Sequence, residues 1–237
     1  MTGMLASVAN LAEASIVLEA GVDIVDLKAP AAGSLGALPL ETVREIVAQL
    51  GGRRPLSATV GDLPMHPKRV LEAVKNMAST GVDYVKIGFF PGGDRTGTIR
   101  ALTPLAERGT RLVAVLFGDQ QSDFRHVADI AGAGFAGAML DTMEKRRGAL
   151  TQVCSLRALH DFVTDVKARG LLCGLAGSLR EEDIPRLLEL NPDYLGFRGA
   201  LCRQHERTAM VDAGAVHIIR ALISPVPAAQ TNPGQKA

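Results

Sequence analysis

Tryptophan is absent from this 237-residue chain, aromatic residues make up 4 %, and cysteine occurs three times, at Cys154, Cys173 and Cys202. An odd number of thiols, 19 and 29 residues apart, fits neither a disulfide framework nor a zinc spacing, so reduced, packed thiols are expected. The five histidines form no HxxxH pair, and neither a metal nor another cofactor is assigned. Only His66, after GlyAspLeuProMet (61 to 65), stands where a rim loop could use it. No apolar stretch approaches the roughly 20 residues of a bilayer span. The opening MetThrGlyMetLeuAlaSerValAla has no charged region ahead of a long apolar one, so a cytoplasmic protein without a membrane partner is expected. An excess of one charge is missing as well: the net charge is +1, with no basic run or aromatic-rich basic face. That excludes nucleic acid as the expected partner and leaves a small molecule. Homo-oligomerisation stays open.

What the chain does have is apolar content, 47 %, enough to bury a full core as one domain. Eight short β-like runs lie near Leu5–Val8, Asp23–Lys28, Leu56–Val60, Asp83–Gly88, Arg111–Phe117, Gly137–Leu140, Leu171–Leu175 and Tyr194–Phe197, each followed by a segment of helical periodicity. Eight such alternations predict a single-domain α/β fold, the (β/α)8 TIM barrel, over residues 1–223. The Pro-rich, polar stretch 224–237 reads as a disordered tail.

Two lysines end matching runs: Lys28 closes ValAspIleValAspLeuLys (22 to 28) and Lys86 closes ValAspTyrValLys (82 to 86), each run opening within a Gly-Val-Asp frame that starts at Gly21 or Gly81. Strand alternation places Ile24, Asp26 and Lys28 on one face and Val25 and Leu27 on the other. The apolar pair should face the helices, which turns Asp26 and Lys28 inward, near the C-terminal rim where barrel enzymes carry their chemistry. By the same parity Lys86 points inward. The second, fourth, sixth and eighth runs then bring Asp26, Lys28, Lys86, Asp141 and Arg198 to one mouth. A lysine with depressed pKa attacks carbonyls to give a Schiff base; Asp26 or Asp141 could orient it or shuttle a proton, and the second lysine could act as general acid or base. The bland alternative is that Lys28 with Asp26, or Lys86 with Asp141, are interior ion pairs without function.

Phosphate handling is a second signal. AlaGlySerLeuArgGluGluAspIle (176 to 184) follows the seventh run and GlyPheArgGlyAla (196 to 200) the eighth, the usual phosphate loops of this fold. Gly177, Ser178, Arg198 and Gly199 are the candidate contacts. Ser178 with Glu181 also reads as a capping box that needs no ligand. A third loop, GlySerLeuGlyAla (33 to 37), either closes over a substrate or merely connects.

These segments, together with SerAlaThrValGlyAspLeuPro (57 to 64), TyrValLysIleGly (84 to 88), MetLeuAspThr (139 to 142) with Lys145, and LeuAlaGlySerLeu (175 to 179), resemble the (5-formylfuran-3-yl)methyl phosphate synthases of methanofuran biosynthesis. The resemblance spans nearly the whole barrel. It implies condensation of two molecules of glyceraldehyde 3-phosphate, a triose phosphate, into a phosphorylated furan aldehyde. Lys28 then matches the Schiff-base lysine, Lys86 the proton-relay lysine, and Asp26, Asp141 and Lys145 the other polar positions of that site. Lys145 has a plain alternative as a solvated charge in LysArgArg (145 to 147). The chain departs from the family at Ala31 and Ala32, after Phe117, and at CysArgGlnHisGluArgThr (202 to 208). A lysine aldolase that stops after the aldol step, and a non-covalent sugar-phosphate isomerase or binding barrel, are the rival readings.

Overall fold

The computed structural model describes residues 1–120 and 126–223; the expected tail, 224–237, lies outside the described residues. Eight strands pair in parallel in chain order, and the last closes on the first, giving the expected barrel. They are β1 (Gly3–Val8), β2 (Ile24–Leu27), β3 (Leu56–Thr59), β4 (Tyr84–Gly88), β5 (Leu112–Phe117), β6 (Gly137–Asp141), β7 (Leu172–Leu175) and β8 (Tyr194–Phe197). The helices that cover them are α1 (Leu11–Glu19), α2 (Leu40–Leu50), α3 (Pro67–Ala78), α4 (Arg95–Glu107), α5 (His126–Gly132), α6 (Leu150–Val153), α7 (Leu156–Ala168), α8 (Ile184–Leu188) and α9 (Ala213–Ile223).

The repeated Gly-Val-Asp frame has a structural cause. Gly21 and Gly81 take φ of +75° and +90° at the ends of α1 and α3, a conformation that favours glycine. The aspartate two residues on then ties the barrel floor together. The Asp23 carboxylate accepts from the Met4 N–H at 2.7 Å, and that of Asp83 from the Leu56 N–H at 2.8 Å. Asp193, after Asn191 at φ +54°, repeats the device on the Cys173 N–H at 2.7 Å. In each case the residue ahead of one strand satisfies a donor at the start of the strand before it, which would otherwise be a costly orphan.

The face assignment of β2 and β4 holds. Val25, Leu27, Val85 and Ile87 pack in the larger core between barrel and helices. Inside the barrel a separate cluster includes Leu5, Val113, Val115, Met139 and Tyr194 in the lower layers and Phe117 above them, and the Tyr194 hydroxyl donates to the Met139 sulfur at 3.6 Å.

The 33–37 loop is a packed wedge rather than a plain connection. Asp62 accepts from the N–H groups of Ser34 (2.8 Å) and Leu35 (2.6 Å), and Thr59 donates to the Gly36 carbonyl at 2.9 Å. So held, Leu35 is buried in the interior cluster, where Phe90 and Phe117 lie with ring centroids 4.7 Å apart. The half of the mouth above β3 to β5 is thereby filled. The open half lies over β1, β2 and β6 to β8, with Lys86 of β4 reaching it from the other side.

Candidate active site

A cavity of about 400 Å³ occupies that open half. Its floor holds Ser7, Lys28, Lys86 and Asp141; its walls are residues 176–180, 196–200 and 205–207 with Lys145 and Arg146. Both strand-ending lysines line this one space. Lys28 lies one residue past β2, its backbone N–H donating to the Val8 carbonyl at 3.0 Å, and it is 6 % exposed. Lys86 is 3 % exposed and registers beside Thr59 of β3 and Val113 of β5.

The ion pairs are crossed relative to the bland expectation. Lys86 Nζ lies 3.0 Å from Asp26 Oδ1, and Lys28 Nζ lies 3.5 Å from Asp141 Oδ2. Neither lysine takes the partner on which the bland alternative rested. Lys28 and Asp26 share a strand face, yet Asp26 sits one layer lower, level with Ser7 on β1 and Ser57 on β3. Those hydroxyls donate to its two oxygens at 2.7 and 2.6 Å. Burial alone would raise the Asp26 pKa; Lys86, then Lys28 and the two hydroxyls, outweigh it and hold the carboxyl low.

Asp141 serves three donors. Besides Lys28 it accepts from the Thr142 N–H at 2.7 Å and from Lys145 Nζ at 2.5 Å. Lys145 also donates to the Thr142 carbonyl, so it reaches inward from a 3₁₀ turn at 145–147 and is no solvated charge. Burial again works to raise the carboxyl's pKa, and Lys145, Lys28 and the backbone donor hold it far below the usual carboxylate range. At Lys28 the balance tips the other way. Desolvation lowers its pKa most, Asp141 opposes, and the neighbouring charges of Lys145 and Lys86 push it further down, to about 8. A buried amine poised between two other lysines, beside a cavity, is the arrangement that makes lysine a nucleophile near neutral pH.

The rim departs from expectation at three places. Arg198 lines the cavity, yet every guanidinium donor is engaged by protein. Nε donates to the Arg207 carbonyl (2.7 Å), Nη1 to Glu13 Oε2 (2.5 Å) and the Ser7 carbonyl (3.2 Å), and Nη2 to Glu13 Oε1 (3.2 Å) and the Ala209 carbonyl (2.9 Å). Its side chain therefore anchors the loop after β8 instead of offering itself to phosphate. Glu13, 1 % exposed on α1, is the carboxylate that sequence spacing could not have paired with it. Nor does the Ser178–Glu181 capping box form. Ser178 has φ +50°, its hydroxyl lies 3.5 Å from the Lys145 carbonyl, and the turn is capped by Asp183 on the Arg180 N–H at 2.8 Å. His66 is exposed and away from the cavity, whereas His205 lines it. Gly177 and Gly199 are both at the wall. Gly177 has φ +110°, and a Cβ there would approach the Thr142 backbone nitrogen to 2.8 Å.

Ser7, Ser57, Glu13, Arg180 and Arg207 escaped the sequence reading. The serines follow from strand parity once the register is known; Arg180 and Arg207 sat inside segments already marked, in loops whose path the sequence does not give. Among the described residues, no group of three or more His, Cys, Asp or Glu could hold a metal. No helix among them is long and apolar enough to cross a membrane.

Solved structures share this architecture at low identity. Phosphoribosyl anthranilate isomerase from Thermotoga maritima superposes with a TM-score of 0.70 at 14 % identity, covering 95 % of this chain and all of that one. The 3-hexulose-6-phosphate synthase from Salmonella typhimurium gives 0.68 at 15 %, covering 94 % and 98 %. These likenesses establish the barrel alone. Sequence relatives are nearer. The (5-formylfuran-3-yl)methyl phosphate synthase of Methanopyrus kandleri is 36 % identical, over 92 % of this chain and 96 % of its own. That of Methanosarcina mazei is 32 % identical, over 87 % and 93 %. A Methylorubrum extorquens protein provisionally given the same name is 43 % identical, over 90 % and 88 %. With the family model described as 4-HFC-P synthase matching residues 4–220, the chain belongs to that family of enzymes.

Proposed function

We propose that the protein condenses two molecules of glyceraldehyde 3-phosphate into 4-(hydroxymethyl)-2-furancarboxaldehyde phosphate for a methanofuran-type cofactor, through an imine on Lys28. The observation that carries the reading is Lys28 itself: buried, lowered to about 8, and opening on a cavity lined by cations. The names of the relatives support the product.

The balance of the reaction asks for such a site. Two triose phosphates become the furan by losing one phosphate and two waters. Neutral Lys28 attacks an aldehyde carbon, the carbonyl oxygen leaves as water, and the resulting imine draws electrons from the adjacent carbon so that its proton can be removed. The enamine then expels the phosphate of the next carbon, the resulting enol is the carbon nucleophile for the carbonyl of the second triose phosphate, and two dehydrations with hydrolysis of the imine close the furan and free Lys28. Lys86, paired to Asp26 at 3.0 Å and lining the same cavity, is placed to move protons during the eliminations. Asp141 and Lys145 hold Lys28 in position and set its charge. The chain would act in the cytoplasm, on a soluble substrate.

The test is intact-mass spectrometry after borohydride reduction with glyceraldehyde 3-phosphate, on wild type, Lys28→Arg and Lys86→Arg, with ultraviolet detection of the furan. An adduct that needs Lys28, and a furan that needs both lysines, is expected. An adduct without furan would make the chain an aldolase; no adduct, under conditions that trap a known lysine aldolase, would overturn the covalent reading.

A further inference from the structure

Among the described residues, the cavity wall carries a half-buried cation with no ion-pair partner. Arg180 lines the cavity and is only partly exposed, yet among the described residues its guanidinium makes no ion pair, and its Nη1 is buried without any hydrogen bond. A buried donor left so is costly, and a guanidinium in that state is matched to a ligand that brings oxygens. Arg207 converges on it from the loop after β8. A Cβ built on Gly199 would lie 4.0 Å from Arg180 Nη1 and 4.0 Å from Arg207 Cβ, so the two arginines approach each other across that glycine.

Four of the neighbouring cations are compensated, and Arg146 on the same wall is exposed to solvent. Arg198 is paired with Glu13, and Lys86 with Asp26. Lys28 and Lys145 share Asp141. Arg207 uses one nitrogen on the Gly33 carbonyl, at 2.9 Å, and has further donors. Burial draws its pKa down and Arg198 adds to that, while Asp141 and Asp62 oppose; its charge is partly desolvated, the state in which an anion interacts most strongly. The segment that carries it is bent to do so: Gln204 and His205 take φ of +53° and +58°, which non-glycine residues adopt only when the fold holds them there.

We propose that Arg180 and Arg207 form a clamp for the phosphoryl group of a short sugar phosphate, lying across Gly199 and separate from the Gly177–Ser178 turn. The inference deepens the proposed function and rests on its claim that the substrate carries phosphate. A clamp at the mouth would hold the phosphate end while the aldehyde reaches down to Lys28. It would also explain why Arg198, with its donors engaged, is not the phosphate cation of this site: two of its five bonds, to the Arg207 and Ala209 carbonyls, hold the loop that delivers Arg207.

The experiment is titration of inorganic phosphate into wild type, Arg180→Gln and Arg207→Gln by calorimetry, with thermal melts on each. Arg180→Gln is the decisive variant, because removing that side chain breaks no hydrogen bond or ion pair among the described residues and should not lower the melting temperature. Wild type should bind phosphate, and Arg180→Gln should bind it about 10- to 100-fold more weakly, the loss of one charge-assisted contact. In turnover the same variant should raise KM for glyceraldehyde 3-phosphate by a similar factor, with kcat little changed. Undiminished phosphate binding by a folded Arg180→Gln protein, or none by wild type, would overturn the clamp. Because phosphate binding is read without chemistry, failure to form the furan would count against the proposed function and leave the clamp standing.

Discussion

Replacing Lys145 by methionine tests how this site makes an amine reactive. Lys28 is held near 8 by burial first, and by Lys145 and Lys86 among the charges, against the pull of Asp141. Lys145 and Lys28 share the Asp141 carboxylate, at 2.5 and 3.5 Å from its two oxygens; two like charges on the order of 6 Å apart at an effective dielectric of about 20 repel by on the order of 3 kcal/mol, or about two pH units at most. Partial exposure of Lys145, 18 % of its side chain, trims this, so a rise of about one to two units in the Lys28 pKa is expected. At pH 7 a lysine of pKa about 8 is neutral about one-tenth of the time; at 9 to 10 the fraction is about 1 in 100 to 1 in 1,000. Imine formation by Lys145→Met should therefore slow about 10- to 100-fold at pH 7 and recover as pH rises. The assay is the initial rate of adduct formation with glyceraldehyde 3-phosphate under cyanoborohydride, by intact mass, from pH 6 to 10. A profile whose midpoint stays in place or moves down, whatever its height, would refute the claim that Lys145 acts through the charge of Lys28.

Lys28→Met should change how stability depends on pH. The folded pKa of Lys28, about 8, lies below its ordinary 10.5, so charging it opposes folding; the penalty is complete below about pH 8 and fades as pH rises toward 10.5. Wild type should gain on the variant across that window by about 3 kcal/mol in chemical denaturation, and parallel curves would show the penalty is absent. Asp26→Asn leaves Lys86 buried beside a neutral amide, so stability should fall by about 3–5 kcal/mol, and Asp26→Asn with Lys86→Met should recover much of it; a double variant as weak as the single would remove the uncompensated charge as the cause. Gly177→Ala meets both a φ of +110° and the Thr142 nitrogen, and should lower the melting temperature, whereas Gly199→Ala, with nothing nearer than 3.4 Å, should not; equal effects would show that strain at 177 is not what matters.

The barrel was legible because its signals are local. Eight β-like runs alternating with helical periodicity, and the parity of apolar and polar residues in β2 and β4, depend on neighbours along the chain and on the two-residue period of a strand. The same parity is enough to turn Lys28, Lys86 and Asp26 inward, and the Gly-Val-Asp frame recurs ahead of both strands. Pairing was a different matter. Which lysine meets which aspartate depends on the stagger between strands, and that stagger set Asp26 level with Ser7 and Ser57, under Lys86, while leaving Asp141 to Lys28 and Lys145. Arg198 shows the same limit over a longer range: its partner Glu13 is 185 residues away, and only closure of β8 on β1 brings α1 behind it. The rim loops were beyond reach of any period, since their paths are set by contacts such as Asp62 under Ser34 and Leu35 or Arg207 on Gly33. The sequence by itself determined the fold and the presence of two inward lysines, because alternation is written residue by residue. Only the tertiary structure decided which charges are paired, which half of the mouth is filled, and that Arg198 is tied to Glu13, because those follow from where distant segments stop in space.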